Sequence, residues 1–346
     1  TLSGKPSQQC GGFSHSWPNH FRSQLFSSVL FDPVAFRSNT IASPTMGPFQ
    51  NSFSIRAMEE FSGVKAHTIR IWEKRYGLLA PDRSGTNIRH YTLDELKVIL
   101  NVAYLNKHGH KISRIAAMTL TERDRLVRET AGTTDSSEET LNTLKVAMLA
   151  FDEVMLERIT AEYRKHHGFR NLVELVFVPL LEHIGVLWQT NVICPAQEHF
   201  VSNFIRQKLI TATDGLAASE GSKDRTFVLY LPENEIHELG LLYVNYLLRA
   251  SGERTIFLGQ SVPGEDLKHL AAVRNGQLVM VTILIVDPPA AEIPTYLKEL
   301  RAQLPDNRIT FLVTGAQLAK VKDMEVPPGI RTFPSMRELV KAVDAL

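Results

Sequence analysis

Between Ser54 and Thr119 the apolar positions recur at short helical spacings that stop at sharp punctuation. Ser54 is a good N-cap for a helix over residues 55–61, and Ser62-Gly63 supplies a tight turn. A second helix over residues 64–76 turns Ile69 and Trp72 inward and ends at Gly77. Leu78-Leu79-Ala80-Pro81 leads into a glycine-containing hairpin over residues 82–89, which Tyr91 closes. Thr92-Leu93-Asp94-Glu95 then fits a capping box for the next helix.

Farther along, Leu144, Ala147, Met148 and Phe151 keep helical spacing, as do Leu172, Leu175, Val176 and residues 178–181. This predicts a bundle of about four helices between residues 141 and 218. At Asp224 the period changes. Apolar runs at 226–231, 255–258, 278–286, 309–314 and 329–333 read as strands. They alternate with helices over 239–250, 266–273, 290–303 and 335–345. Such alternation implies a parallel, doubly wound α/β sheet of the Rossmann-like, flavodoxin-like kind. The chain is thus multidomain: an all-α winged helix-turn-helix head over 51–120, a linker over 121–140 that begins with a frayed helix, a four-helix bundle over 141–218, and the sheet domain over 224–346. Residues 1–50 show no steady period and read as a disordered leader. Their single acid, Asp32, beside Arg22 and Arg37 faintly resembles a transit peptide, but no apolar stripe accompanies it. Met46 is an alternative start, which would make the leader a gene-model artefact.

Composition narrows the class. Of 346 residues, 44% are hydrophobic and 22% charged, which describes a globular protein. No apolar run reaches the roughly 18 residues of a membrane span, so a cytoplasmic, nucleoid-associated protein is expected. Cys10 and Cys194 stand far apart, which excludes a disulfide framework or a zinc finger. The net charge of +1 hides a local excess, since seven basic side chains face four acids between Ser54 and Tyr91. Lys65, His67, Thr68, Arg70, Lys74 and Arg75 on the second helix suit a helix in the major groove of double-stranded DNA. Arg56, Arg83, Asn87, Arg89 and Tyr91 complete the candidate DNA surface, with the hairpin as a wing on backbone phosphates. Helix-turn-helix patterns also occur in proteins that never meet DNA, and Trp72 reads as core.

The segment from Phe53 through the hairpin closely resembles the DNA-binding domain of MerR-type regulators. The resemblance rests on Arg70, Trp72, Arg75, Tyr76 and Gly77 at the helix end and on Arg89 and Tyr91 in the wing. It implies promoter binding as a homodimer or higher oligomer, with RNA polymerase an indirect partner. Members that dimerise through a long coiled coil carry it directly after this domain; here a polar stretch follows.

Two constellations carry the remaining chemistry. Trp188 is followed at a helix–helix turn by Glu198 and His199, although a tryptophan in a bundle is usually core. Glu235-Ile236-His237-Glu238-Leu239-Gly240 follows the first strand of the sheet domain, at the edge where doubly wound sheets bind ligands. A neutral imidazole there suits a transition metal, and a nearby carboxylate fixes its tautomer, though such a histidine also serves as a capping residue. Together the constellations resemble the cobalamin-binding module of corrinoid proteins. That resemblance implies His237 as the cobalt ligand, Glu235 as its tuner, and Trp188, Glu198 and His199 along the upper face. Gly240, Thr282, Leu284 and Gly315 would frame the slot for the displaced nucleotide tail. Thr282 keeps a hydroxyl where the family has serine, and Thr314 replaces the first glycine of a pair.

A MerR-type head on this module resembles the light-responsive, adenosylcobalamin-dependent repressors of carotenoid genes. In such regulators the intact cofactor promotes an oligomer on DNA, light cleaves the Co–C bond, and a histidine beside the tryptophan caps cobalt. Gln189 occupies that position here, which weakens photoreception more than cobalamin binding. The competing reading is a MerR-type regulator whose cobalamin-like module has lost its ligand and serves oligomerisation or protein contact. An enzyme is not expected: no catalytic barrel, P-loop or hydrolase motif accompanies the head.

Overall fold

The computed structural model describes residues 52–345 except 134–136, 191 and 217–223. The leader over 1–50 lies outside the described residues.

The head opens with α1 (Ile55–Ser62), whose first turn is closed by the Ser54 hydroxyl accepting from the Ala57 N–H, and Gly63 ends it at φ 70°. Helix α2 (Ala66–Tyr76) starts two residues later than its apolar pattern, because the Glu59 carboxylate accepts from the Ala66 N–H at 2.9 Å. Strands β1 (Asp82–Arg83) and β2 (Arg89–His90) form the antiparallel wing. The capping box at Thr92 and Glu95 is present and starts α3 (Leu93–Lys107), which α4 (Ile112–Ala116) follows.

The linker expected over 121–140 is corrected. Most of it is α5 (Leu120–Thr133), and its start is stitched by reciprocal bonds between Thr119 and Glu122. Val127 and Ala131 reach the core and Leu126 packs beside them, while most other positions stay polar, so only a narrow stripe distinguishes this helix from a linker.

The bundle is α6 (Ser137–Ala150), α7 (Glu153–Leu172), α8 (Val178–Gln189) and α9 (Pro195–Asp214), with a π-helical turn at Val173–Phe177 joining α7 to α8. The last domain holds β3 (Arg225–Pro232), α10 (Leu239–Ala250), β4 (Thr255–Val262), α11 (Gly264–Val273), β5 (Gln277–Ile283), α12 (Ile293–Gln303), β6 (Ile309–Thr314), β7 (Ile330–Thr332) and α13 (Met336–Asp344). All strands run parallel in the order β4-β3-β5-β6-β7. The expected third strand is shorter than its apolar run, because the Ile285 and Val286 N–H groups leave the ladder to bind Glu235.

Among the described residues two apolar cores result. One unites Val228, Met280, Leu284, Phe311 and Val313 with α11 and α12 on one face of the sheet. The other is continuous from Met58 and Trp72 in the head, through Leu144 and Phe177 in the bundle, to Leu229, Val281 and Val343 on the opposite face. Head and bundle also meet through Phe61 on α1 and His183 on α8, whose rings stack 6.2 Å apart.

Candidate functional site

The head presents its cations as the sequence implies. Arg56, Lys65, His67, Arg70, Lys74 and Arg75 are exposed, and Thr68 is half-buried on the same helix. Lys65 is paired with Glu59 at 3.0 Å, and the Arg75 guanidinium lies 5.4 Å from the Tyr76 ring centroid. Tyr91 is corrected. It is fully buried, and its hydroxyl donates to Glu73 Oε2 at 3.3 Å, so it fixes the root of the wing from inside. Burial and the neighbouring Glu73 carboxylate push this phenol well above its ordinary value. Asn87 sits exposed at the hairpin tip with φ 64°, and its Oδ1 accepts from Arg83 Nη1 at 2.7 Å. Arg89 is half-buried and bound by Glu73, a residue the sequence reading counted only as a subtracted charge.

At the sheet's carboxyl edge the chain leaves β3 toward β4 on one side and later returns to β5 on the other. The loops after β3 and β5 therefore flank the topological switch point. Glu235 joins them. Its Oε1 accepts from the Ile236 and His237 N–H groups at 2.9 and 3.0 Å and binds His237 Nδ1. Its Oε2 accepts from the Ile285, Val286 and Asp287 N–H groups at 2.9, 2.7 and 3.0 Å. Burial alone would raise this carboxyl; the His237 ring and the backbone donors overcome that and hold it down to about 2. A ring that donates from Nδ1 presents Nε2 as its lone-pair nitrogen, the atom a metal would take.

The bundle brings a second acid to this place. Glu198 is buried on α9, accepts from the Ser202 hydroxyl at 2.7 Å, and lies 3.1 Å from His199 Nδ1. Its carboxyl is raised by burial, although His199 and His237 are near enough to oppose the shift. Four residues beyond Ser202, Arg206 Nε reaches buried Glu238 at 2.6 Å and ties α9 to the His237 loop. The i, i+4, i+8 spacing of Glu198, Ser202 and Arg206 is a signal the sequence reading passed over. Helix α8 carries Trp188 to the end of the bundle; the side chains of Trp188 and Gln189 lie outside what is described.

The slot residues are tightly framed. Gly315, at φ 134°, lies so close to Leu284 that an added Cβ would meet the Leu284 carbonyl oxygen at 2.1 Å. Gly240 faces the flexible ends of Met336 and Ile283. Thr282 Oγ1 and the Tyr230 hydroxyl are both buried, and neither has a hydrogen-bond partner among the described residues. An oriented imidazole, an orphaned Thr282 hydroxyl and two glycines at one sheet edge are compatible with a bound cobalamin.

Residues 53–121 match the family model described as "MerR HTH family regulatory protein", and residues 140–212 match "B12 binding domain". The HTH-type transcriptional repressor CarH of Myxococcus xanthus is 30% identical over 263 residues, 74% of this chain and 86% of that protein. The HTH-type transcriptional repressor CarA of the same organism is 27% identical over 253 residues, 72% of this chain and 83% of its own. Among solved structures, the monomethylamine corrinoid protein of Methanosarcina barkeri aligns with 61% of this chain and all of its own length, at 16% identity and a TM-score of 0.47.

Proposed function

This chain belongs to the family of the HTH-type transcriptional repressors CarH and CarA, and on that premise we propose how its two ends work together as a cobalamin-sensing DNA-binding regulator. Helix α2 enters the major groove with Lys65, His67, Thr68, Arg70, Lys74 and Arg75, while Arg56 and the wing residues Arg83, Asn87 and Arg89 hold the flanking phosphates. His237 would hold the cobalt through its ring, Glu235 would fix the tautomer of that ring, and Glu198 and His199 from α9 would line the site. Gly240, Thr282, Leu284 and Gly315 would frame the slot for the cofactor's nucleotide tail. Adenosylcobalamin, when bound, supplies a cobalt–carbon bond that light can cleave. The protein's part is to hold the His237 ring in one tautomer, keep α9 over it through Arg206 and Glu238, and pass any shift of the bundle to the head.

The observation that carries this reading is the double tether of Glu235, which orients His237 and closes the switch point in the same chain as a winged helix. We further propose that the protein acts as a homodimer or higher oligomer on promoter DNA, affects RNA polymerase through that occupancy, and performs no catalysis of its own. Among the described residues no helix is long and apolar enough to cross a membrane.

The test is direct. Protein incubated with adenosylcobalamin in the dark is expected to stay coloured through gel filtration, and His237→Ala to lose the pigment. Unchanged retention in that variant would overturn the ligand assignment. A gel shift on the chain's own promoter, with and without cofactor and before and after green light, tests the coupling. The second reading, a module that has lost its ligand, is favoured by Thr314 in the glycine pair and by Met336 already lying against Gly240. It predicts colourless protein whose DNA affinity ignores the cofactor.

A further inference from the structure

One residue on the recognition helix has the wrong charge for its place. Glu73 lies between Arg70 and the pair Lys74 and Arg75, where a carboxylate repels DNA. Its side chain is only 14% exposed and is turned toward the wing. Both carboxylate oxygens accept from Arg89 Nε, at 3.2 and 2.9 Å. Oε1 also accepts from Arg83 Nη2 at 3.4 Å, and Oε2 from the Tyr91 hydroxyl at 3.3 Å. The wing strands are two residues each, too short to hold an orientation by their own ladder. Three donors from both strands and the wing root thus converge on one acceptor of the recognition helix.

We infer that Glu73 is a positioning residue that sets the wing at a fixed angle to the recognition helix, so that groove and phosphate contacts are made in one register. Arg89 is bound at Nε, which leaves the Nη groups of the guanidinium as its remaining donors. Removing the carboxylate frees Arg89, leaves Arg83 held only by Asn87 among the described residues and raises the positive charge of the head, yet sequence discrimination falls because the wing no longer has one place to stand. This inference rests on the DNA-binding reading above and adds to it the sign of the effect: an acid on the DNA face that increases selectivity.

The test compares full-length wild type, Glu73→Ala and Glu73→Gln on two duplexes, one selected by the wild-type protein from a random-sequence library and one of scrambled sequence. Glu73→Ala is expected to bind the scrambled duplex as well as or better than wild type, with a steeper salt dependence. Its preference for the selected duplex is expected to fall roughly tenfold or more, the cost of about one misplaced contact. Glu73→Gln keeps an acceptor for Arg89 and is expected to recover part of the preference without the charge, which a purely electrostatic role would not allow. Trypsin cleavage after Arg83 and Arg89 in free protein is expected to quicken in Glu73→Ala. Equal tightening on both duplexes with preference retained would overturn the inference. Selection of no duplex by the wild type would overturn the DNA-binding reading itself. If Glu73→Ala does not fold, Glu73→Gln and Arg89→Lys carry the same comparison.

Discussion

Glu73 in the head and Glu235 in the sheet domain do the same job under opposite conditions. Each collects donors from segments that are separate in sequence and so fixes a residue that the proposed function places at a ligand. Glu235 is fully buried and serves mainly backbone N–H groups, which have no rotamers to lose and no counterions to compete. Glu73 is partly wet and serves arginines, whose partners in water and on DNA are plentiful. On the reading proposed above, the fully buried hub serves a rigid site and the less buried one a surface that exchanges partners when DNA arrives.

The difference is open to attack at several strengths. Glu235→Ala leaves five backbone donors and an imidazole without their acceptor in a buried place. A loss of roughly 3–5 kcal/mol is expected by urea denaturation, and a loss under about 1 kcal/mol would mean the two loops do not depend on it. Acid separates the two regions next. Burial, and then the Lys145 ammonium, hold His183 down to about 4 from an ordinary 6.5, opposed by its bond to the Glu60 carbonyl. A folded value below the unfolded one contributes stability that is complete above pH 6.5 and is lost as pH falls toward 4. Fluorescence of a probe on the head should therefore report its release from α8 in that window, and His183→Phe should flatten the profile. Tyr91→Phe removes one bond to Glu73 and is expected to cost about 1 kcal/mol in thermal unfolding while leaving the wing packed. Asp344→Asn weakens an exposed bidentate pair with Arg170 and is expected to cost less than about 1 kcal/mol, near the resolution of calorimetry.

Much of this was legible in the chain, and the gaps have physical causes. Helix α10 and strand β6 end where glycine, serine and polar residues break their apolar runs, so their limits could be read directly. His237 and Glu235 announced themselves by adjacency. The reach of Glu235 to Asp287 did not, because fifty-odd residues and two strands separate acceptor from donor. Glu73 was hidden by its surroundings: among basic residues an acid reads as noise until the hairpin folds back on it. Helix α5 was hidden by polarity, since Leu126, Val127 and Ala131 form too narrow an apolar stripe to stand out among its charges.

The continuous core has a consequence for anyone who would reuse the head. Regulators of this design invite the view that the DNA reader is a cartridge, to be cut free at the polar stretch and attached elsewhere. Here that stretch is α5, and the cluster containing Met58 and Trp72 also contains Val127, Leu144 and Phe177. A chimera joined before Thr119 strips the reader of its backing and sends it to the new protein with an open flank. One that carries the chain through α6 takes Lys145 and Leu144 along with it. The practical seam of this molecule lies one helix deeper than its sequence advertises.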